Sequence, residues 1–122
     1  MFDSKTILIA DSSTYAAVDL AGAVEECEGR VAGPVTTLSE AVTILDSGSF
    51  GGAIVDCELV EASALIMWLA ATGVPFVVQT SVPLPQGLDD LDRRLKVLMR
   101  PIDARTVVAA LANEISEAGN PC

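Results

Sequence analysis

Two aspartates, a threonine and an arginine each stand at the end of a short apolar run. Ile7-Leu8-Ile9-Ala10 stops at Asp11, Gly52-Ala53-Ile54-Val55 at Asp56, Phe76-Val77-Val78-Gln79 at Thr80, and Val97-Leu98-Met99 at Arg100-Pro101. An apolar run without polar alternation reads as a strand buried on both faces, and such strands belong to parallel sheets covered by helices. Open α/β sheets place their sites outside the carboxyl ends of the strands. Two carboxylates, a hydroxyl and a cation therefore crowd one edge of the sheet.

The segments between these runs read as the elements that hold them in place. Lys5 to Ala10 is the first strand, and Asp11-Ser12-Ser13-Thr14 supplies a turn and an N-cap. Ala17, Leu20, Ala21 and Val24 then recur at helical spacing, with Glu25, Glu26 and Glu28 facing water and Gly29 as the C′ signal. Val31-Ala32-Gly33 is a short second strand closed by Pro34. Thr37-Leu38-Ser39-Glu40 has the form of a capping box. Its helix carries Leu38, Ala41, Val42 and Leu45 on one face and stops at Gly48.

The third strand leads to Asp56, and a helix from Leu59 to Gly73 follows, with Leu65, Ile66, Leu69 and Ala70 as its apolar stripe. Val74-Pro75 opens the fourth strand, the proline sitting where a missing donor is tolerated. Pro83 and Pro85 delay the fourth helix to Leu88–Leu95, barely two turns. Lys96 to Met99 is the fifth strand. Asp103 caps a last helix whose Val107, Val108, Leu111 and Ile115 face inward, and Ser116 to Cys122 read as a frayed tail. Five β–α units with right-handed crossovers predict an α/β, flavodoxin-like, doubly wound three-layer sandwich with a five-stranded parallel sheet and a short or irregular fourth helix.

Composition narrows the function. At 122 residues the chain is one domain, with a core at about 5–115, and 51% hydrophobic residues supply that core. No apolar run approaches the ~20 residues of a membrane span, and no signal peptide is visible, so a soluble, cytoplasmic protein is expected. A net charge of −10 with only seven Lys and Arg argues against nucleic acid. Cys27, Cys57 and Cys122 have no CxxC spacing and read as reduced thiols. The lack of histidine removes the commonest general base and metal ligand from any enzymatic reading.

The order of elements, with Asp11, Asp56, Thr80 and Arg100-Pro101 at successive strand ends, resembles a response-regulator receiver domain, the phosphoacceptor half of two-component signalling. The resemblance runs from about Lys5 to Ile115. It includes Asp11-Ser12-Ser13-Thr14, Val31-Ala32-Gly33-Pro34 with the Glu40-Ala41 helix, Pro75-Phe76-Val77-Val78-Gln79-Thr80-Ser81 and Met99-Arg100-Pro101-Ile102. The Gly33-Pro34 and Gly73-Val74-Pro75-Phe76-Val77 pieces look most like the small stand-alone receivers of alphaproteobacteria. The resemblance implies that Asp56 takes a phosphoryl group from a sensor histidine kinase or phosphotransfer protein, and that Thr80 meets the phosphoryl group. It puts Arg100 at the family's lysine position, with Mg²⁺ held by Asp11, Asp56 and the backbone carbonyl of Glu58, whose side chain could add a charge from the other side of the site. Output would pass to an unnamed downstream protein, and the oligomeric state stays open, a homodimer among the options.

Departures from the pattern are specific. Ala10 stands where receivers carry the first of two acids, and Arg100 exchanges a compact ammonium for a planar fork. Val60 and Ala64 replace a usual proline and glycine, and Val97 an aromatic that switches rotamer. These departures motivate a second function: a degenerate receiver that keeps the fold as a phosphorylation-independent interaction module. The Asp89-Asp90-Asp92 and Arg93-Arg94 cluster is a solvated face or a partner-docking edge. A small enzyme of the same fold is the poorest reading, since no glycine-rich phosphate loop follows the first strand.

Overall fold

The computed structural model describes residues 2–46, 48, 50–81 and 96–118. Five strands, β1 (Thr6–Ala10), β2 (Arg30–Val35), β3 (Gly52–Asp56), β4 (Phe76–Thr80) and β5 (Lys96–Met99), form one sheet in the order β2-β1-β3-β4-β5, every pairing parallel. Among the described residues the helices are α1 (Thr14–Glu26), α2 (Leu38–Asp46), α3 (Ala62–Thr72) and α4 (Ala104–Ala118). The strand order reverses between β1 and β3, and such a switch point is where open sheets form a crevice.

Strand alternation divides the core into two layers. Leu8, Ala10, Ala53, Val55, Phe76 and Val78 pack with Ala41 and Leu45 of α2 and Leu65, Ile66 and Leu69 of α3. Ile7, Ile9, Ile54 and Val77 pack on the opposite face with Ala17, Leu20 and Val24 of α1 and Val107, Val108 and Leu111 of α4. Every residue of β3 and of β4 is buried. This three-layer sandwich is the architecture that the apolar runs predict, because a strand covered on both faces has no use for a polar side chain.

The boundaries differ from the sequence reading at several places, each for a local reason. The left-handed residue after α1 is Glu28, at φ 66°, and not Gly29. Gly29 is needed for space instead: a Cβ there would meet Val24 Cγ1 at 2.6 Å and Phe2 Cδ2 at 2.8 Å. β2 does not close at Pro34 but continues to Val35, since it lies at the sheet edge, where a strand tolerates a residue that cannot donate. α3 starts at Ala62 rather than Leu59 and ends, as the sequence suggests, at Gly73 in the left-handed region. β4 starts at Phe76, and α4 continues through Ser116 to Ala118.

Local chemistry holds the helix that flanks β2. The Glu40 amide donates to Thr37 Oγ1 at 3.2 Å, and the Glu40 carboxylate accepts from Thr37 Oγ1 at 3.1 Å and from the Thr36 amide at 3.2 Å. The stronger closing contact comes one residue earlier than the motif implies, from the Thr36 amide. The fourth helix at Leu88–Leu95, the acidic and basic cluster at 89–94 and residues 119–122 lie outside the described residues.

Candidate functional site

Each chemical side chain arrives at the sheet edge by a different route. Asp11 follows β1, its amide donating to the Val35 carbonyl at 3.0 Å, which ties it to the end of β2. Its Oδ1 accepts from the Ser13 amide at 2.8 Å in a turn of the Asx type, and Ser13, not Asp11, caps α1 through Ala16. Asp56 is the last residue of β3 and, like Asp11, has no exposed surface. Arg100 follows β5, its amide donating to the Thr80 carbonyl at 2.9 Å, and the Arg100-Pro101 bond is cis.

One guanidinium gathers the three acids. Arg100 Nη1 donates to Asp56 Oδ1 at 2.9 Å and to Glu58 Oε2 at 2.8 Å, while Nη2 donates to Asp11 Oδ2 at 3.0 Å. The Arg100 side chain keeps 21% of its surface exposed and that of Glu58 39%, so the pocket is closed at its floor and open at its rim. Ser81 Oγ donates to the same Glu58 oxygen at 3.3 Å, completing the rim.

Asp56 is also bound from within. Its Oδ2 accepts from the Ser12 amide at 3.0 Å and from Ser12 Oγ, and its Oδ1 accepts from the Glu58 amide at 2.9 Å. Burial alone would raise the pKa of this carboxyl, but the Ser12 hydroxyl, the Glu58 and Ser12 amides and Arg100 outweigh it and hold the group below its ordinary 3.8. Asp11 goes the other way. Burial and the neighbouring Asp56 charge push it above 3.8 despite the Ser13 amide and Arg100. Arg100 is raised too, since its three carboxylate neighbours outweigh burial. The two carboxyls are thus shifted in opposite directions, Asp56 down and Asp11 up.

Asp11, Asp56, Glu58 and Arg100, all singled out from the sequence, meet by direct contact. Thr80 does not stand with them in the same way. It is buried at the end of β4, and its hydroxyl meets the thiol of Cys57. That thiol is raised by burial and by the charges of Asp56 and Glu58. Ser12 reads from the sequence only as part of the turn and cap segment Asp11-Ser12-Ser13-Thr14, with no role of its own; its one signal is a polar side chain directly after Asp11. Gln79 lies opposite Asp56 in register, is buried, and leaves its amide nitrogen without a partner among the described residues. It lines a cavity of about 500 Å³ with Asp19, Arg100 and Ile102.

Carboxylate oxygens are the hard donors that Mg²⁺ takes, and three of them converge here on a single cation, so the donor chemistry of Asp11, Asp56 and Glu58 fits a divalent ion. As the side chains stand, however, they are spaced around the guanidinium: among the described residues no group of three or more His, Cys, Asp or Glu is arranged to hold a metal ion.

No protein-family model matches the sequence, and no curated protein does. Solved structures do match. A CheY-like response regulator receiver domain from Methanospirillum hungatei superposes with a TM-score of 0.79 at 19% identity, covering 95% of this chain and 97% of that one. The receiver domain of the PhyR response regulator of Erythrobacter litoralis gives 0.77 at 20% identity over 98% and 95%. A Burkholderia pseudomallei response regulator, solved with a phosphorylated aspartic acid, calcium ion and citrate, gives 0.75 at 21% over 95% of this chain and 71% of that one. The fold is that of response-regulator receiver domains.

Proposed function

We propose that this chain is a receiver module in which Asp56 accepts a phosphoryl group from a sensor histidine kinase or phosphotransfer protein and passes the signal on through protein contacts. The observation that carries the reading is the meeting of Asp11, Asp56 and a cation at the switch point of a receiver fold. A lowered carboxyl pKa keeps Asp56 in the charged form that attacks. In the transfer, an Asp56 oxygen bonds to phosphorus, the P–N bond of the donor phosphohistidine breaks, and the imidazole leaves with the electron pair. Oδ1 is freed for attack when the guanidinium turns from it to the incoming phosphoryl oxygens, a task suited to a planar fork. Thr80 offers its hydroxyl to the product after leaving Cys57. Mg²⁺, held by Asp11, Asp56 and the backbone carbonyl of Glu58, would offset charge on the phosphoryl group.

The test is incubation with acetyl phosphate and Mg²⁺ followed by intact-mass measurement. A gain of one phosphoryl group in the wild type and none in Asp56→Asn is expected. No gain in either, or an equal gain in both, overturns the reading.

A second reading, a phosphorylation-independent interaction module, is favoured by one observation: both oxygens of the fully buried Asp56 are already engaged, by Ser12, Glu58 and Arg100. Under it the fold and the ion-paired pocket persist, and acetyl phosphate leaves the wild-type mass unchanged.

A further inference from the structure

We infer that Arg100 is the resident cation of the acidic pocket, latched there by Glu58, and that a divalent ion reaches Asp11 and Asp56 only by displacing it. The contacts are explicit. The guanidinium occupies the point on which Asp11 Oδ2, Asp56 Oδ1 and Glu58 Oε2 converge, at 3.0, 2.9 and 2.8 Å. Two of these acids are wholly buried, so their charge needs a partner at all times, and Arg100 supplies it from within the chain. A guanidinium is more weakly hydrated than an ammonium and presents its donors in a rigid planar fork, so two of its nitrogens meet all three carboxylates in one fixed arrangement. Mg²⁺ sheds its waters reluctantly and demands near-octahedral geometry. It therefore competes at a disadvantage against a tethered cation that needs no dehydration from bulk and already fits.

Glu58 has a distinct part in this. Its side chain sits at the exposed rim, bonded to Nη1 and to Ser81 Oγ, so it closes over the guanidinium from outside. As a metal ligand Glu58 would strengthen Mg²⁺ binding; as the latch it weakens that binding by holding the competitor. The two roles carry opposite signs in one variant.

The experiment is a Mg²⁺ titration of the unphosphorylated protein, followed by the backbone amide shifts of Ser12, Cys57 and Glu58. Removing the charge-assisted contacts in Arg100→Gln is expected to raise the apparent Mg²⁺ affinity by about tenfold or more, and Glu58→Ala to raise it by a smaller factor. An unchanged or weaker affinity in Arg100→Gln, or a weaker one in Glu58→Ala, overturns the inference. Should the first variant fail to fold, the wild type decides: separate Nη signals of an immobilised Arg100 guanidinium are expected without Mg²⁺ and are lost in step with the amide shifts as Mg²⁺ binds, whereas their absence without Mg²⁺, or their persistence once the amide shifts have saturated, overturns the inference. The receiver reading enters only in naming Mg²⁺ as the competitor. Failure of Asp56 to take a phosphoryl group leaves this result standing, and the reverse also holds.

Discussion

β3 and β5 both end in the site, yet they are unlike. All five residues of β3 are buried, and the strand is paired on both sides. β5 is paired only with β4, exposes Lys96 and Met99, and half-buries Val97 and Leu98. Asp56 is thus fixed to a strand buried along its length and paired on both sides, and the cation beside it hangs from a partly exposed edge strand. Elements with little cover are the ones that open most readily, so the difference leaves Asp56 as the firmly held half of the site and Arg100 as the less covered half.

The comparison can be broken first by stability. Ile54→Ala in β3 empties a fully buried site and is expected to cost about 2–5 kcal/mol. Val97→Ala in β5 is expected to cost about 1 kcal/mol or less, since its site is half-open. Urea unfolding of both variants at unchanged m-value measures the gap; equal costs would mean that β5 is as firmly held as β3.

Next in size is the coupling across the two strands. Breaking a buried ion pair by removing one partner is costly because the other charge is stranded. Arg100→Ala is expected to lose about 2 kcal/mol, less than for a fully buried pair because its side chain keeps a fifth of its surface in water. A double-mutant cycle with Asp56→Ala should then return a coupling of about 1–2 kcal/mol. A coupling near zero would leave the short Arg100 to Asp56 distance without energetic content.

A smaller effect tests the fixed half alone. Cys57 follows Asp56, and burial together with the Asp56 and Glu58 charges raises its thiol. Because the protonated form is favoured, its alkylation by iodoacetamide should accelerate only at a pH above that of an unperturbed thiol, and Asp56→Asn should bring the rise back toward lower pH. A profile unmoved by Asp56→Asn would show that the Asp56 charge does not act on the thiol.

The smallest effect lies away from both strands. Contacts from the Thr36 amide and Thr37 lower the Glu40 carboxyl, so its contribution is present above the unfolded-state pKa and lost as pH falls through the lowered folded value. The stability difference between wild type and Glu40→Gln should therefore be present at neutral pH and vanish in acid. A difference that persists in acid would remove the charged cap.

Most of the fold was legible because buried strands leave a plain signature. Ile7 to Ala10, Gly52 to Val55 and Phe76 to Val78 carry no polar side chain, and their ends name the sheet edge on which Asp11, Asp56, Thr80 and Arg100 stand. Boundaries set by tertiary neighbours were not legible. Gly29 looks like a helix stop, but its need for space against Val24 and Phe2 exists only once Phe2 is folded back. Pro34 looks like a strand end unless β2 is known to be an edge. In the site, the residue types were readable but not the reach of the arginine. A side chain with several rotatable bonds can turn outward or inward, and nothing in Met99-Arg100-Pro101 says that it meets three acids. Ser12 escaped notice because one serine in a turn looks like the next.

The most direct measurement is the chemical identity of the modified residue. Treating acetyl phosphate-incubated protein with borohydride reduces an aspartyl phosphate to homoserine, and peptide mapping then locates it. Homoserine at position 56, lost in Asp56→Asn, is the expected result. Homoserine at position 11 or none in the chain would contradict the assignment of Asp56 as the phosphoacceptor.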